Sequence, residues 1–143
     1  MLLMDVNILV YAHREDTPDN ARYHRWLEDV INSDASYGMS DLVLSGFLRI
    51  VTHPKIFRVP SPPDVAWSFV EEVRNRPNCQ VLRPGNRHWG IFKRLCRESG
   101  VKGNLYPDAF FAALAIETGS IWITTDHDYK RFRGLTCRHP LND

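Results

Sequence analysis

The 143-residue sequence contains only three cysteines, Cys79, Cys96 and Cys137, an odd number with no Cys-x-x-Cys pair. A disulfide framework and a zinc or redox thiol motif are excluded, and the thiols are expected to be reduced. The six histidines, His13, His24, His53, His88, His127 and His139, include no pair at the spacing of a helical zinc site. No apolar run approaches the roughly 18 residues of a membrane helix. The opening Met-Leu-Leu-Met reaches Asp5 too soon for a signal peptide, so a cytoplasmic protein is expected. Charge of one sign is also missing. Lys and Arg total 18 against 17 acids, a net charge of +1, so any nucleic-acid contact has to be local. Neither a P-loop nor a Gly-x-Gly-x-x-Gly fingerprint occurs, and Ser45 precedes Gly46 but follows Leu44, which is no nucleophile elbow. Those gaps remove the phosphate cradles and the serine-hydrolase triad.

What remains is an ordinary globular composition, 43% hydrophobic and 24% charged. A chain of this length buries roughly two thirds of its unfolded surface without metal or disulfide staples, so one domain over residues 1–143 is expected. Residues 1–9 are almost wholly apolar apart from Asp5 and Asn7 and read as a strand buried on both faces. Tyr23, Trp26, Leu27, Val30 and Ile31 recur at helical steps within 20–32. A short strand over 36–39 precedes a helix capped by Ser40 and ended near Pro54. Ser61, Pro62 and Asp64 read as the cap and first turn of a helix reaching about Arg76. Next come a strand over 79–82, a helix over 88–99 closed by Gly100, and a loop over 101–107. An apolar helix over 108–118, a strand over 121–124, a polar helix or turn over 126–133 and an edge strand over 135–137 complete the chain. Strands alternating with helices predict an α/β fold, a parallel sheet flanked by helices on both faces. Trp26, Trp67, Trp89 and Trp122 fall in periodic apolar segments and are expected in a core or interface rather than stacked on bases.

In such sheets the ligand crevice lies beyond the carboxyl ends of the strands. Asp5 breaks an apolar strand there, Asp108 opens the most apolar helix, and Asp126 with Asp128 directly follows the strand over 121–124. Carboxylates gathered in one crevice raise one another's pKa unless a cation sits among them, and oxygen donors suit Mg²⁺ or Mn²⁺. Plainer roles compete. Asp108 can cap its helix, and Asp126 with Asp128 can form an Asx turn. Asp5 resists such a reading, because an ionised carboxylate in a strand covered on both faces is costly without a partner. Asn7 reads as a turn residue.

Taken in order, DVN at Asp5, PDAFFAALAIETG from Pro107 and ITTDHDYKRF from Ile123 resemble the PIN-domain nucleases, and among them the VapC toxins of bacterial toxin-antitoxin pairs. SDLVLSGFLRIVTHPKIF from Ser40 and GLTCRHPL from Gly134 extend the resemblance over nearly the whole chain, toward the VapC branch abundant in mycobacteria. The resemblance implies a PIN-like three-layer α/β/α sandwich with a mainly parallel central sheet. It implies RNA cleavage with Mg²⁺ or Mn²⁺ held by Asp5, Asp108 and Asp126, with Asp128 nearby as a further catalytic acid. It also implies a homodimer neutralised by a VapB-like antitoxin.

One departure stands out: where such nucleases carry a glutamate on the helix after the second strand, this chain has Gly46. Asp41 lies five residues earlier, on another face of that helix. Glycine inside a helix costs about 1 kcal/mol relative to alanine, which points to a close backbone approach. Arg49, Lys55, Arg58, Lys93, Arg94, Lys130 and Arg131 are available to contact phosphates, with single-stranded loops of structured RNA the expected target. Trp26, Phe47 or Phe57 is expected to offer an apolar face to an antitoxin peptide, since all three do not fit in a core of this size, and an arginine of the peptide would enter the acidic crevice. The competing reading is a catalytically weak or inactive PIN-like module that binds RNA or a protein. A phosphohydrolase with an aspartyl intermediate fits poorly, because Asn7 stands where such enzymes show a second Asp.

Overall fold

Asp5 divides what the sequence presents as one apolar run. In the computed structural model, which describes residues 1–142, strand β1 covers only Leu2–Met4 and helix α1 runs over Val6–His13. The single strand expected over residues 1–9 is therefore two elements. Asp5 has extended backbone, φ −71° and ψ 158°, and its Oδ1 accepts the Val6 N–H at 2.7 Å, satisfying a donor at the open helix end. Helix α1 buries Ile8, Leu9, Val10 and Ala12, so it lacks the one-sided period that separates a helix from a buried strand. Asn7 sits in its first turn.

Helix α2 spans Asn20–Ile31 and turns Tyr23, Leu27 and Ile31 inward. Strand β2, Tyr37–Met39, leads to α3, Asp41–Val51, where the Ser40 hydroxyl accepts from the Leu42 N–H at 3.2 Å as the sequence suggests. Helix α4 covers Pro63–Arg74 with Pro62, not Ser61, at the cap position. Ser61 is instead buried and bonded to His13 and Arg14, so a hydroxyl one residue too early is taken by side chains of α1 and its end. Strand β3 is Cys79–Val81, and α5, His88–Ser99, ends at Gly100, whose φ of 60° suits a residue without Cβ.

Helix α6 covers Leu105–Glu117, three residues earlier than expected, because Pro107 falls in its first turn. The first N–H groups of a helix have no intrahelical partner, so proline costs little there. Asp108 is consequently inside the helix rather than at its cap. Strand β4, Ile121–Ile123, is followed by a 3-10 turn over His127–Arg131 and by β5, Cys137–Arg138, one residue later than expected at its end.

The sheet order is β3-β2-β1-β4-β5, and every pair is parallel. The chain steps from β1 to β3 in one direction and then returns across to β4 and β5. Right-handed crossovers therefore put α1–α4 on one face and α5–α6 on the other, the expected three layers. Trp122 is fully buried, whereas Trp67 and Trp89 are exposed, so the core reading holds for one of these three tryptophans. Among the described residues no helix is long and apolar enough to cross a membrane.

Candidate active site

β1 and β4 are the neighbouring strands at which the direction of winding reverses, and the crevice at such a switch point is where doubly wound sheets take their ligands. Asp5 follows β1 directly, and its N–H donates to the Ile123 carbonyl of β4 at 2.9 Å. Thr124, the next residue of that strand's path, donates its hydroxyl to Asp5 Oδ2 at 2.7 Å and accepts the Asp126 N–H at 3.0 Å. Asp126 Oδ1 in turn accepts the Asp128 N–H at 2.9 Å, so the Asx turn anticipated as a plain role is present. Asp108 enters from α6, where its Oδ1 accepts the Tyr129 hydroxyl at 3.2 Å.

Burial lifts the Asp5 carboxyl from 3.8 to about 6, against the lowering effect of the Thr124 and Val6 hydrogen bonds, and the charges of Asp108 and Asp126 raise it further. Asp108 is raised as well, by burial and by Asp126 and Asp128, while the Tyr129 hydroxyl and Arg131 oppose the shift. Tyr129 is 2% exposed, and burial with the charges of Asp5, Asp108 and Asp126 pushes its phenol far up, so it stays a neutral donor. Asp5, Asp108 and Asp126 thus feel one another, and among the described residues none of the three has an ion-pair partner. Asp128 differs, standing 3.5 Å from an Arg131 guanidinium nitrogen.

An all-oxygen donor set with three acids that lack an ion-pair partner suits a hard divalent cation. The fit is to a hydrated ion rather than a closed cage, because among the described residues no three acid, His or Cys side chains converge tightly enough to enclose a metal. Mg²⁺ keeps several waters and needs one or two carboxylates.

Gly46 lies on α3 against α1, and a Cβ there would meet the Val6 Cγ2 methyl at 3.2 Å, the close approach that the glycine implied. Asp41 is elsewhere, its oxygens 2.9 and 3.3 Å from Arg74 nitrogens. An apolar groove of about 480 Å³ runs past Val6, Leu42, Gly46, Phe92, Tyr106 and Phe110. None of Trp26, Phe47 and Phe57 lines this groove. Phe47 is fully buried, Arg14 covers Phe57 at 4.1 Å, and Trp26 is partly packed on the core. Of the seven cations available for phosphate contact, Arg94 pairs with Glu98 and Arg131 with Asp128. Arg49 lines the apolar groove.

The family model of the PIN domain matches residues 2–135. The chain belongs to the PIN-domain family. This PIN domain is 43% identical over 142 residues to ribonuclease VapC43 of Mycobacterium tuberculosis, covering 99% of this chain and 97% of that protein. It is 37% identical over 140 residues to ribonuclease VapC25 of the same species, with 98% and 99% covered. Its fold is similar to VapBC2 of Rickettsia felis bound to a promoter DNA fragment, with TM-score 0.70, 19% identity, and 97% and 98% of the two chains covered. VapC20 of M. tuberculosis, a Sarcin-Ricin loop cleaving toxin, shares the fold at TM-score 0.66 and 13% identity, with 95% and 99% covered.

Thr124 and Tyr129 escape a reading of the sequence, although both lie in the ITTDHDYKRF segment. A hydroxyl at the end of a buried strand, two residues before Asp126, is the signal that could have found Thr124. No comparable signal marks Tyr129, whose phenol reaches Asp108 only through the 3-10 turn.

Proposed function

We propose that this PIN domain is a metal-dependent ribonuclease toxin, hydrolysing phosphodiester bonds in single-stranded loops of RNA and neutralised by a VapB-like antitoxin. The relatives named as VapC ribonucleases support the reaction, and the VapBC structures of the same fold support the partner. The observation that carries the reading is the set Asp5, Asp108 and Asp126, whose charges act on one another beside the switch point and which have no ion-pair partner among the described residues. A single PIN domain acting in the cytoplasm as a homodimer completes the reading.

Asp5, Asp108 and Asp126 would hold Mg²⁺ or Mn²⁺ through carboxylate oxygens. When bound, the ion supplies an activated water for attack on phosphorus and offsets charge developing on the phosphate oxygens. Thr124 fixes the Asp5 carboxylate by donating to Oδ2, and the Val6 N–H fixes Oδ1. Tyr129 holds Asp108 in the same way, and its neutral phenol adds no charge to the crevice. Asp128 orders the turn that carries Asp126 and is itself balanced by Arg131.

The second reading, a PIN module that binds without cutting, is favoured by the absence of a closed acid cage among the described residues and by Gly46. One experiment separates them: sequencing RNA ends after incubating the purified protein with a mixed RNA pool in Mg²⁺, in Mn²⁺ and in EDTA. New ends that need the ion support the nuclease. RNA retained without new ends under all three conditions supports the binding module.

A further inference from the structure

Beside Asp126, away from the apolar groove, opens a pocket of about 430 Å³ whose lining includes Asp126, Lys130, Arg138 and His139. It draws cations from two stretches, the 3-10 turn and the end of β5, and Asp126 is its single acid among the described residues. Lys130 and Arg138 have neither an acidic partner nor a side-chain hydrogen bond among those residues. His139 is held in place, because its Nδ1 accepts the Leu141 N–H at 3.1 Å, which leaves the ring proton on Nε2 as a donor.

Two cations without an ion-pair partner, with a fixed donor beside them and one acid in the same concavity, favour a bound anion that both can reach. Arg presents a planar fork to phosphate and Lys a point charge, and phosphate contacts of this kind position a nucleic acid without reading its sequence. Asp126 belongs to both the pocket and the acid cluster, so an anion in the pocket lies immediately beside the reacting centre.

We propose that this pocket seats the RNA phosphate next to the scissile one, with Lys130 and Arg138 as its charge partners and His139 as a further donor. The inference rests on the ribonuclease reading and deepens it. The acids alone repel a phosphodiester strand. The pocket supplies the attraction that the net charge of +1 does not. These residues are positioning groups, so their loss weakens ground-state binding rather than the chemical step.

The test uses a short labelled single-stranded RNA and the Asp5→Asn protein, which cannot consume it. Affinity is measured across a salt series with and without Lys130→Ala and Arg138→Ala together. Each phosphate contact on a single strand contributes about 0.7 to the slope of log K against log salt, so the slope should shrink by about that amount. Affinity at low salt should fall about tenfold, equivalent to 1.4 kcal/mol. In the otherwise wild-type protein, KM should rise with little change in kcat. The charge-keeping pair Lys130→Arg and Arg138→Lys should restore the slope, which a folding defect would not allow. Arg76→Ala, ahead of β3 at the edge of the parallel sheet opposite the crevice, should leave it unchanged.

An unaltered slope and KM in the double alanine variant would overturn the pocket even if the protein cuts RNA. A shrunken slope in a protein that never cuts would keep the pocket and overturn the nuclease reading. Absence of salt-dependent RNA binding in the Asp5→Asn protein would overturn the pocket outright.

Discussion

The Thr124 hydroxyl donates to Asp5 Oδ2 at 2.7 Å across 119 residues of sequence, joining the ends of β1 and β4 at the point where acids from three segments meet. One lone pair of a buried carboxylate is thereby satisfied, yet the carboxyl still titrates near pH 6, because one hydroxyl and one N–H do not replace the water it has lost.

Asp5→Asn should therefore abolish cleavage and also stabilise the metal-free protein near neutral pH. A folded-state pKa raised from 3.8 to about 6 means the native state holds the proton more tightly than the unfolded chain. Its contribution is fully present below pH 4 and is lost as pH rises through about 6, a change of about 3 kcal/mol at most. Asparagine does not titrate and keeps an acceptor for the Val6 N–H. In EDTA the variant should melt above wild type at pH 8, and the gap should close toward pH 4. A variant equal to or below wild type at pH 8 would show that Asp5 is not strained by burial. Asp108→Asn should also abolish cleavage while leaving the fold intact.

Protons and a divalent ion compete for the same carboxylate, so activity at fixed Mg²⁺ should fall as pH drops through about 6. The Thr124 hydrogen bond lowers the Asp5 pKa, so Thr124→Val should move that midpoint to higher pH. The variant also strips the Asp126 N–H of its acceptor, at a cost of about 1–3 kcal/mol in stability. Rate profiles over pH for the two proteins decide the matter; superimposable midpoints would refute the role given to Thr124.

The acids were legible in the sequence because each interrupts or borders an apolar stretch, where a carboxylate costs free energy unless it has a cation or a hydrogen-bond partner to meet. The bounds of α5 were legible too, since the Gly100 cap and one-sided periodicity agree. Helix α1 was not, because burial of Ile8, Leu9, Val10 and Ala12 removes the period that would reveal it. The start of α6 was misplaced because Pro107 reads as a stop, whereas the first turn accepts it. Tyr129 and the basic pocket depend on how the chain after β4 folds back over the sheet edge, and nothing in local spacing encodes that return.

Gly46→Glu should bind Mn²⁺ more tightly than wild type, by about tenfold, a gain of 1.4 kcal/mol. The position faces Val6, the residue after Asp5, so a carboxylate there enters from the α3 side. The new Cβ must push a Val6 methyl from 3.2 Å by a few tenths of an ångström, while leaving glycine gains about 1 kcal/mol of helix propensity. Gly46→Ala therefore serves as the packing control and should leave both stability and Mn²⁺ affinity nearly unchanged. Calorimetric titration of the three proteins would expose a wrong assignment as unchanged or weaker affinity in the glutamate variant.

An antitoxin peptide should reach the acids along the apolar groove. The groove touches Val6 and Pro107, the neighbours of Asp5 and Asp108, so a peptide lying in it ends beside the carboxylates. Leu42 and Tyr106 stand on its walls about half exposed, at 55% and 48%, which is apolar surface without an intramolecular cover. An arginine carried by such a peptide can pair with two carboxylate oxygens at once and would supply the cation that Asp5, Asp108 and Asp126 lack. The C-terminal half of the antitoxin should then inhibit without its DNA-binding half, and Arg→Ala at the residue nearest the acids should weaken inhibition. Leu42→Asp should weaken it further on the toxin side, by placing a charge in the groove while leaving the acids in place. Inhibition constants for these combinations separate the two contributions. If Leu42→Asp leaves inhibition unchanged while the arginine still matters, the peptide enters the crevice by another route.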